Sequence, residues 1–99
     1  MPLIIEPSKL ALADFDRIYD FLARQSPATA AKVLRNLDAA IQRLADQPRL
    51  GRPYSHKRRR LRLLTHRDYL VFYQERPGVI QLVRVLNGRQ NIPDILDDL

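Results

Sequence analysis

The run Tyr69-Leu-Val-Phe-Tyr-Gln-Glu-Arg-Pro-Gly-Val-Ile-Gln-Leu-Val-Arg-Val-Leu86 decides the fold. Its two halves are dense in aromatic and β-branched residues, which suit a pleated surface. Between them Pro77 fixes one dihedral and Gly78 accepts a positive one, which is the chemistry of a turn. The run therefore predicts two strands joined as a hairpin. Upstream, Arg60-Leu61-Arg62-Leu63-Leu64 alternates polar and apolar with period two and predicts a third strand beside them.

Further back the period changes from two to 3.6. Ala30, Val33, Leu34, Leu37, Ala40, Ile41 and Leu44 recur at steps of three and four, after Ser26-Pro27, a capping oxygen followed by a proline suited to the first helical position. Gln47-Pro48 ends that helix, and Gly51 and Pro53 keep the following chain irregular. Ser8 opens an earlier amphipathic helix with Ala11, Phe15, Ile18, Tyr19 and Leu22 on its apolar face. Leu3-Ile4-Ile5, closed by Pro7, reads as a first strand. Ile92 to Leu96 reads as one short helical turn that is stable only if it docks. The expected fold class is α+β, in the order β-α-α-β-β-β. An N-terminal strand precedes a helical hairpin, which packs on one face of a mainly antiparallel sheet and leaves the other face open.

A chain of 99 residues, 45% hydrophobic and 28% charged, is expected to be a single globular domain, residues 1–99. Its apolar runs are far too short for a transmembrane helix, and its first residues carry no signal-peptide pattern, so no membrane role and a cytoplasmic location are expected. Without cysteine there is neither a disulfide framework nor a thiolate zinc site. Two histidines are thin material for a metal centre, and neither metal nor cofactor is expected. The net charge of +6 comes from one segment: residues 49–62 hold Arg49, Arg52, Lys57, Arg58, Arg59, Arg60 and Arg62 and no acid. Arginine outnumbers lysine fourteen to three, which favours bidentate contact with phosphate or carboxylate. A polyanionic partner is expected, nucleic acid or acidic protein.

Period two places Arg58, Arg60 and Arg62 on one side of their strand, with Leu61 and Leu63 on the other, and an apolar side turned to the helices puts these arginines on the open face. Arg84 interrupts the apolar stripe of Ile80, Leu82 and Leu86 and predicts an ion pair, with an acid of the first helix as its partner. Arg89 follows Gly88, a joint able to carry it over the open face. Catalytic sets are sparse. Ser55 and His56 are adjacent and point apart in an extended chain, and His66 falls in a turn. Asp14, Asp16 and Asp20 read as a solvated helix face, and Tyr69 and Tyr73 as core tyrosines with hydroxyls at the rim. No glycine loop is present to cradle phosphate.

Four segments in this order carry a resemblance: 11–22 (ALADFDRIYDFL), 41–53 (IQRLADQPRLGRP), 69–73 (YLVFY) and 83–90 (VRVLNGRQ). Together they resemble the RelE/ParE superfamily of toxins from type II toxin–antitoxin modules, known also for plasmid stabilisation, and the match spans nearly the whole chain. The resemblance implies a cognate antitoxin with a wrapping segment, expected to be acidic against a toxin of charge +6, and a toxin–antitoxin hetero-oligomer. It also implies one of two targets. ParE-like members inhibit DNA gyrase and cut nothing, whereas RelE-like members cleave mRNA on the ribosome without metal. Of the ribonuclease pattern, Arg60, Arg62 and Arg89 match and would be the catalytic candidates. Leu70 stands where an arginine is expected, and no tyrosine or histidine follows Tyr73. The segment Asp46-Gln-Pro-Arg-Leu-Gly-Arg-Pro53 looks ParE-like, so a growth-inhibiting gyrase poison is favoured, with the ribonuclease as alternative and a non-toxic nucleic-acid-binding module as second alternative. Arg58, Arg60, Arg62, Asn87 and Arg89 are the candidates for partner or target binding.

Overall fold

The computed structural model describes residues 2–99. Strand β1 (Ile4–Pro7) leads into helices α1 (Lys9–Ala23) and α2 (Pro27–Gln42), the latter tightening into a 3-10 turn at Arg43–Ala45. Strands β2 (Arg52–His56), β3 (Arg59–His66), β4 (Tyr69–Arg76) and β5 (Val79–Asn87) follow, then a short helix α3 (Ile92–Asp97). The sheet order is β1-β5-β4-β3-β2, with β1 parallel to β5 and every other pair antiparallel. The α+β class and the helical hairpin are as the sequence predicts. One strand is additional: Arg52–His56, expected to be irregular, pairs along β3 as the edge of the sheet.

Both caps form at the expected serines. Ser8 Oγ accepts from the Ala11 amide at 3.0 Å, and Ser26 Oγ accepts from the Thr29 amide at 3.2 Å. Ser8 also donates to the Val83 carbonyl at 2.9 Å, so the residue that starts α1 fastens it to β5 where β1 ends.

The sheet is apolar on both faces. Ile80, Leu82, Val85, Val71 and Tyr73 meet Ala11 and Ile18 of α1 and Leu37 and Ile41 of α2. On the opposite face Leu61, Leu63, Phe72, Val83 and Leu86 pack with Leu96 of α3. The face expected to be open is thus covered by the C-terminal turn, which docks through Ile92, Ile95 and Leu96. Leu61 and Leu63 face α3, while Leu64 belongs to the helical-hairpin side. Arg60 and Arg62 share the parity of Leu64, so they lie on the helical-hairpin side of the sheet and not on the face predicted for them.

A bulge explains the stripe that Arg84 interrupts. Phe72 pairs with Arg84 but Tyr73 with Leu82, leaving Val83 as an extra residue in β5. Parity reverses there, so Ile80 and Leu82 join one cluster and Leu86 the other.

The far end of α3 is held by charge. His56 Nε2 donates to Asp97 Oδ1 at 2.6 Å, and Lys57 Nζ lies 3.1 Å from the same oxygen. The hydrogen bond from His56, then that from Lys57, holds the Asp97 carboxyl below its ordinary pKa. A carboxyl depressed in the folded state contributes stability that is complete above its unfolded pKa and is lost as pH falls through the lower folded value. Protection of the α3 amides against hydrogen exchange is therefore expected to fall below about pH 4. Asp97→Asn should remove that step; an unchanged pH profile in the variant would refute the assignment.

Candidate functional site

Two regions merit description, a clamped loop and the basic hairpin it supports. Residues 46–51 connect the 3-10 turn to β2 and close over Tyr73. The Tyr73 hydroxyl accepts from the Gly51 amide at 2.9 Å and donates to the Pro48 carbonyl at 2.8 Å. Tyr73 is fully buried, and burial raises its pKa, against the opposing effects of the Gly51 hydrogen bond and the nearby Arg62 charge. It is a strut whose proton stays in place. Its expected core packing is found, but the hydroxyl binds a loop instead of lying at the rim. Arg62 Nη1 donates to the Gly51 carbonyl at 2.8 Å, so this arginine is half-buried and engaged with the same loop.

The chain then turns through β2 and β3. In their register His56 opposes Arg59, Ser55 opposes Arg60 and Pro53 opposes Arg62. Arg52 and Arg59 therefore lie on one face of the ribbon and Arg60 and Arg62 on the other, with Lys57 and Arg58 at the tip. Lys57 adopts a positive φ of 54°, which shapes the two-residue turn. The Arg52 guanidinium sits 5.5 Å from the Tyr54 ring centroid, and that ring packs edge-on to Phe72 at 5.1 Å. Arg52, Arg58, Arg59 and Arg60 are exposed and form no salt bridge among the described residues.

Asn87 and Arg89 stand apart from this hairpin. Asn87 closes β5 opposite Tyr69, which itself opposes His66. His66 lies six residue steps along β3 from Arg60, about 20 Å. Asn87 Oδ1 accepts from the Arg89 amide at 2.9 Å, and its own amide donates to Gln90 Oε1 at 2.8 Å. Asn87 thus organises the turn after β5 and borders a cleft of about 220 Å³ with Arg17, Ile18, Phe21, Tyr69 and Gln90. Arg89 is exposed. The five candidates fall into two groups: Arg58, Arg60 and Arg62 at one end of the sheet, Asn87 and Arg89 at the other.

Sequence reasoning missed Asp14. Read as part of a solvated helix face, it is 1% exposed and receives four hydrogen bonds. Arg84 Nε and Nη2 donate at 2.8 and 2.9 Å, the Val85 amide at 2.9 Å and Arg17 Nη2 at 2.9 Å. The partner predicted for Arg84, an acid of the first helix, is this residue. The hydrogen bonds to Asp14 raise the Arg84 pKa against the effect of its own burial. The signal available in the sequence was helical: Asp14 lies four residues before Ile18 and three after Ala11, on their face of α1.

Comparison with known proteins now adds to this geometry. The sequence model described as "ParE toxin of type II toxin-antitoxin system, parDE" matches residues 5–92. The chain belongs to the ParE toxin family. Toxin ParE1 of Caulobacter vibrioides is 34% identical over 86 residues, covering 85% of this chain and 88% of its own. Toxin ParE3 of the same organism is 30% identical over 80 residues, 80% of each chain. A chain of the chromosomal ParDE TA system from P. aeruginosa superposes with a TM-score of 0.74 at 23% identity, covering 86% of this chain and 95% of that one, which shows a common fold. The segment 46–53 that carried part of the resemblance comprises the loop clamped by Tyr73 and Arg62 and the first two residues of β2. No helix among the described residues is long and apolar enough to cross a membrane.

Proposed function

We propose that this ParE-family toxin inhibits DNA gyrase and is neutralised by a cognate antitoxin. The family match over residues 5–92 carries the reading. The placement of the arginines supports it over RNA cleavage: Arg62 spends a donor on the Gly51 carbonyl, and Arg60 and Arg89 stand at opposite ends of the sheet. The antitoxin has a suitable surface. Of the six large apolar side chains exposed among the described residues, Ile4, Leu10, Leu12, Tyr19 and Phe21 belong to β1 and α1. An amphipathic antitoxin segment covering them would bury the apolar area that a stable complex requires, and β1 offers a free edge for an added strand.

Expression in a bacterial host without antitoxin tests the proposal, with growth, supercoiling by purified gyrase and the ends of cellular transcripts measured together. The expected result is arrested growth and inhibited gyrase with transcripts intact. Codon-linked transcript ends with unaffected gyrase would overturn it and return Arg60, Arg62 and Arg89 to consideration as catalytic residues.

A further inference from the structure

We propose that the β2–β3 hairpin is a binding element for the phosphate backbone of duplex DNA. The inference rests on the register and charge of the hairpin and does not require gyrase to be the target. Arg52 and Arg59 project from one face, Arg60 from the other, and Arg58 from the tip. A ribbon with cations on both faces can meet both phosphate walls of a groove, and the major groove of B-form DNA, about 12 Å wide, admits a two-stranded ribbon.

Protection of a sheet edge is a weaker account of this charge. Edge protection places charge or proline on the outer strand, and Pro53 on β2 already does so. Arg59 and Arg60 lie past the β3–β4 pairing, which begins at Arg62, so the end of the hairpin stands as a two-stranded ribbon.

An acidic protein is also a weaker fit. Protein interfaces need an apolar core within a polar rim. Among the described residues, five of the six exposed large apolar side chains, Ile4, Leu10, Leu12, Tyr19 and Phe21, lie on β1 and α1, and β1 is the opposite edge of the sheet from β2; beside the hairpin stands Leu50 alone, too little for an apolar core. The hairpin offers arginines with serine and proline between them, which suits a uniform polyanion. Single strands are bound by stacking on exposed aromatic faces. Tyr54, the hairpin's aromatic residue, is half-buried between Phe72 and the Arg52 guanidinium. Duplex RNA is disfavoured because its major groove is deep and narrow. Contacts to phosphate alone predict affinity with little sequence preference and steep salt dependence.

The test uses the full chain and a short fluorescein-labelled duplex of mixed sequence, titrated by anisotropy between about 50 and about 200 mM salt. Four exposed arginines without an acid partner among the described residues predict a slope of log affinity against log salt of about −3 to −4. Arg58→Ala with Arg60→Ala should weaken binding about tenfold and bring the slope to about −2. Lys32→Ala with Arg35→Ala removes the same charge from exposed positions on α2 and should leave the slope unchanged. All four positions are exposed, and circular dichroism is to be recorded to check that each variant is folded. Three results would overturn the proposal: no binding at the lowest salt, equal loss in both double variants, or tighter binding of polyglutamate, single-stranded DNA or duplex RNA than of the DNA duplex. No gyrase is present, so the outcome is independent of the supercoiling assay.

Discussion

Asp14→Ala is expected to destabilise the protein by about 3–5 kcal/mol, a large share of the roughly 5–15 kcal/mol that holds a typical domain together. The carboxylate accepts four hydrogen bonds while 1% exposed, and three of them come from β5. Its removal strands the Arg84 guanidinium, which is 11% exposed, and leaves the Val85 amide without an acceptor. An uncompensated charge in such a place costs far more than the intact pair contributes, because desolvation is no longer offset. Burial also predicts that added salt will weaken the pair little, unlike the exposed contact of Lys57 with Asp97. Asp14→Leu combined with Arg84→Met should recover most of the loss, since a matched apolar pair carries no stranded charge. Urea unfolding of both single variants and the double variant measures the coupling. A single variant within about 0.5 kcal/mol of the parent would show that Asp14 does not hold α1 to β5.

The ion pair also shows how far the sequence could be read. A charge on an apolar stripe needs a partner, and that argument reached Arg84 and the correct helix. It did not reach Asp14 itself, because acids on a helix with basic neighbours usually face water, and only the placement of α1 against β5 decides otherwise. The helices were legible because four turns of 3.6-residue periodicity and two capping serines agree with one another. The central hairpin was legible for the equivalent reason. Strand β2 was not, since Arg52-Pro-Tyr-Ser-His56 lacks apolar alternation and depends on its pairing with β3 and on Tyr54 against Phe72. Period two identified the two sides of β3 correctly but could not say which side faces the helical hairpin. Leu61 and Leu63 lie on one side and Leu64 on the other, and the deciding fact is α3 docked 30 residues later. The bulge at Val83 was invisible for a similar reason, as a single extra residue alters parity without altering composition. Arg60 and Arg62 were therefore found as part of a charged segment and placed on the wrong face, while Arg58 lies in the turn at its tip.

The second large effect is expected in the loop behind that segment. Gly51→Ala should cost about 1–3 kcal/mol through overpacking, and Tyr73→Phe about the same through lost hydrogen bonds. A Cβ on Gly51 would lie 2.7 Å from both the Tyr73 ring and its hydroxyl and 2.9 Å from the Leu63 carbonyl oxygen. Tyr73 is fully buried and the Leu63 oxygen is backbone, so neither can yield cheaply. Tyr73→Phe leaves the buried Gly51 amide and the Pro48 carbonyl without their partner. The two costs should not add. With the hydroxyl gone, one of the three close contacts of the new methyl disappears, and the loop, already released from Pro48, can move off Leu63. The double variant is thus expected to be less destabilised than the sum of the singles, by about 0.5 kcal/mol or more. Arg62 shares the same glycine through its carbonyl, so loosening this loop loosens the base of the β2–β3 ribbon while Arg52, Arg58, Arg59 and Arg60 keep their charge. Hydrogen exchange should then speed up in β2 before it does in β4 or β5. Additive costs with unchanged protection in β2 would mean that Tyr73 only fills the core and that the basic hairpin is held by its own pairing with β3.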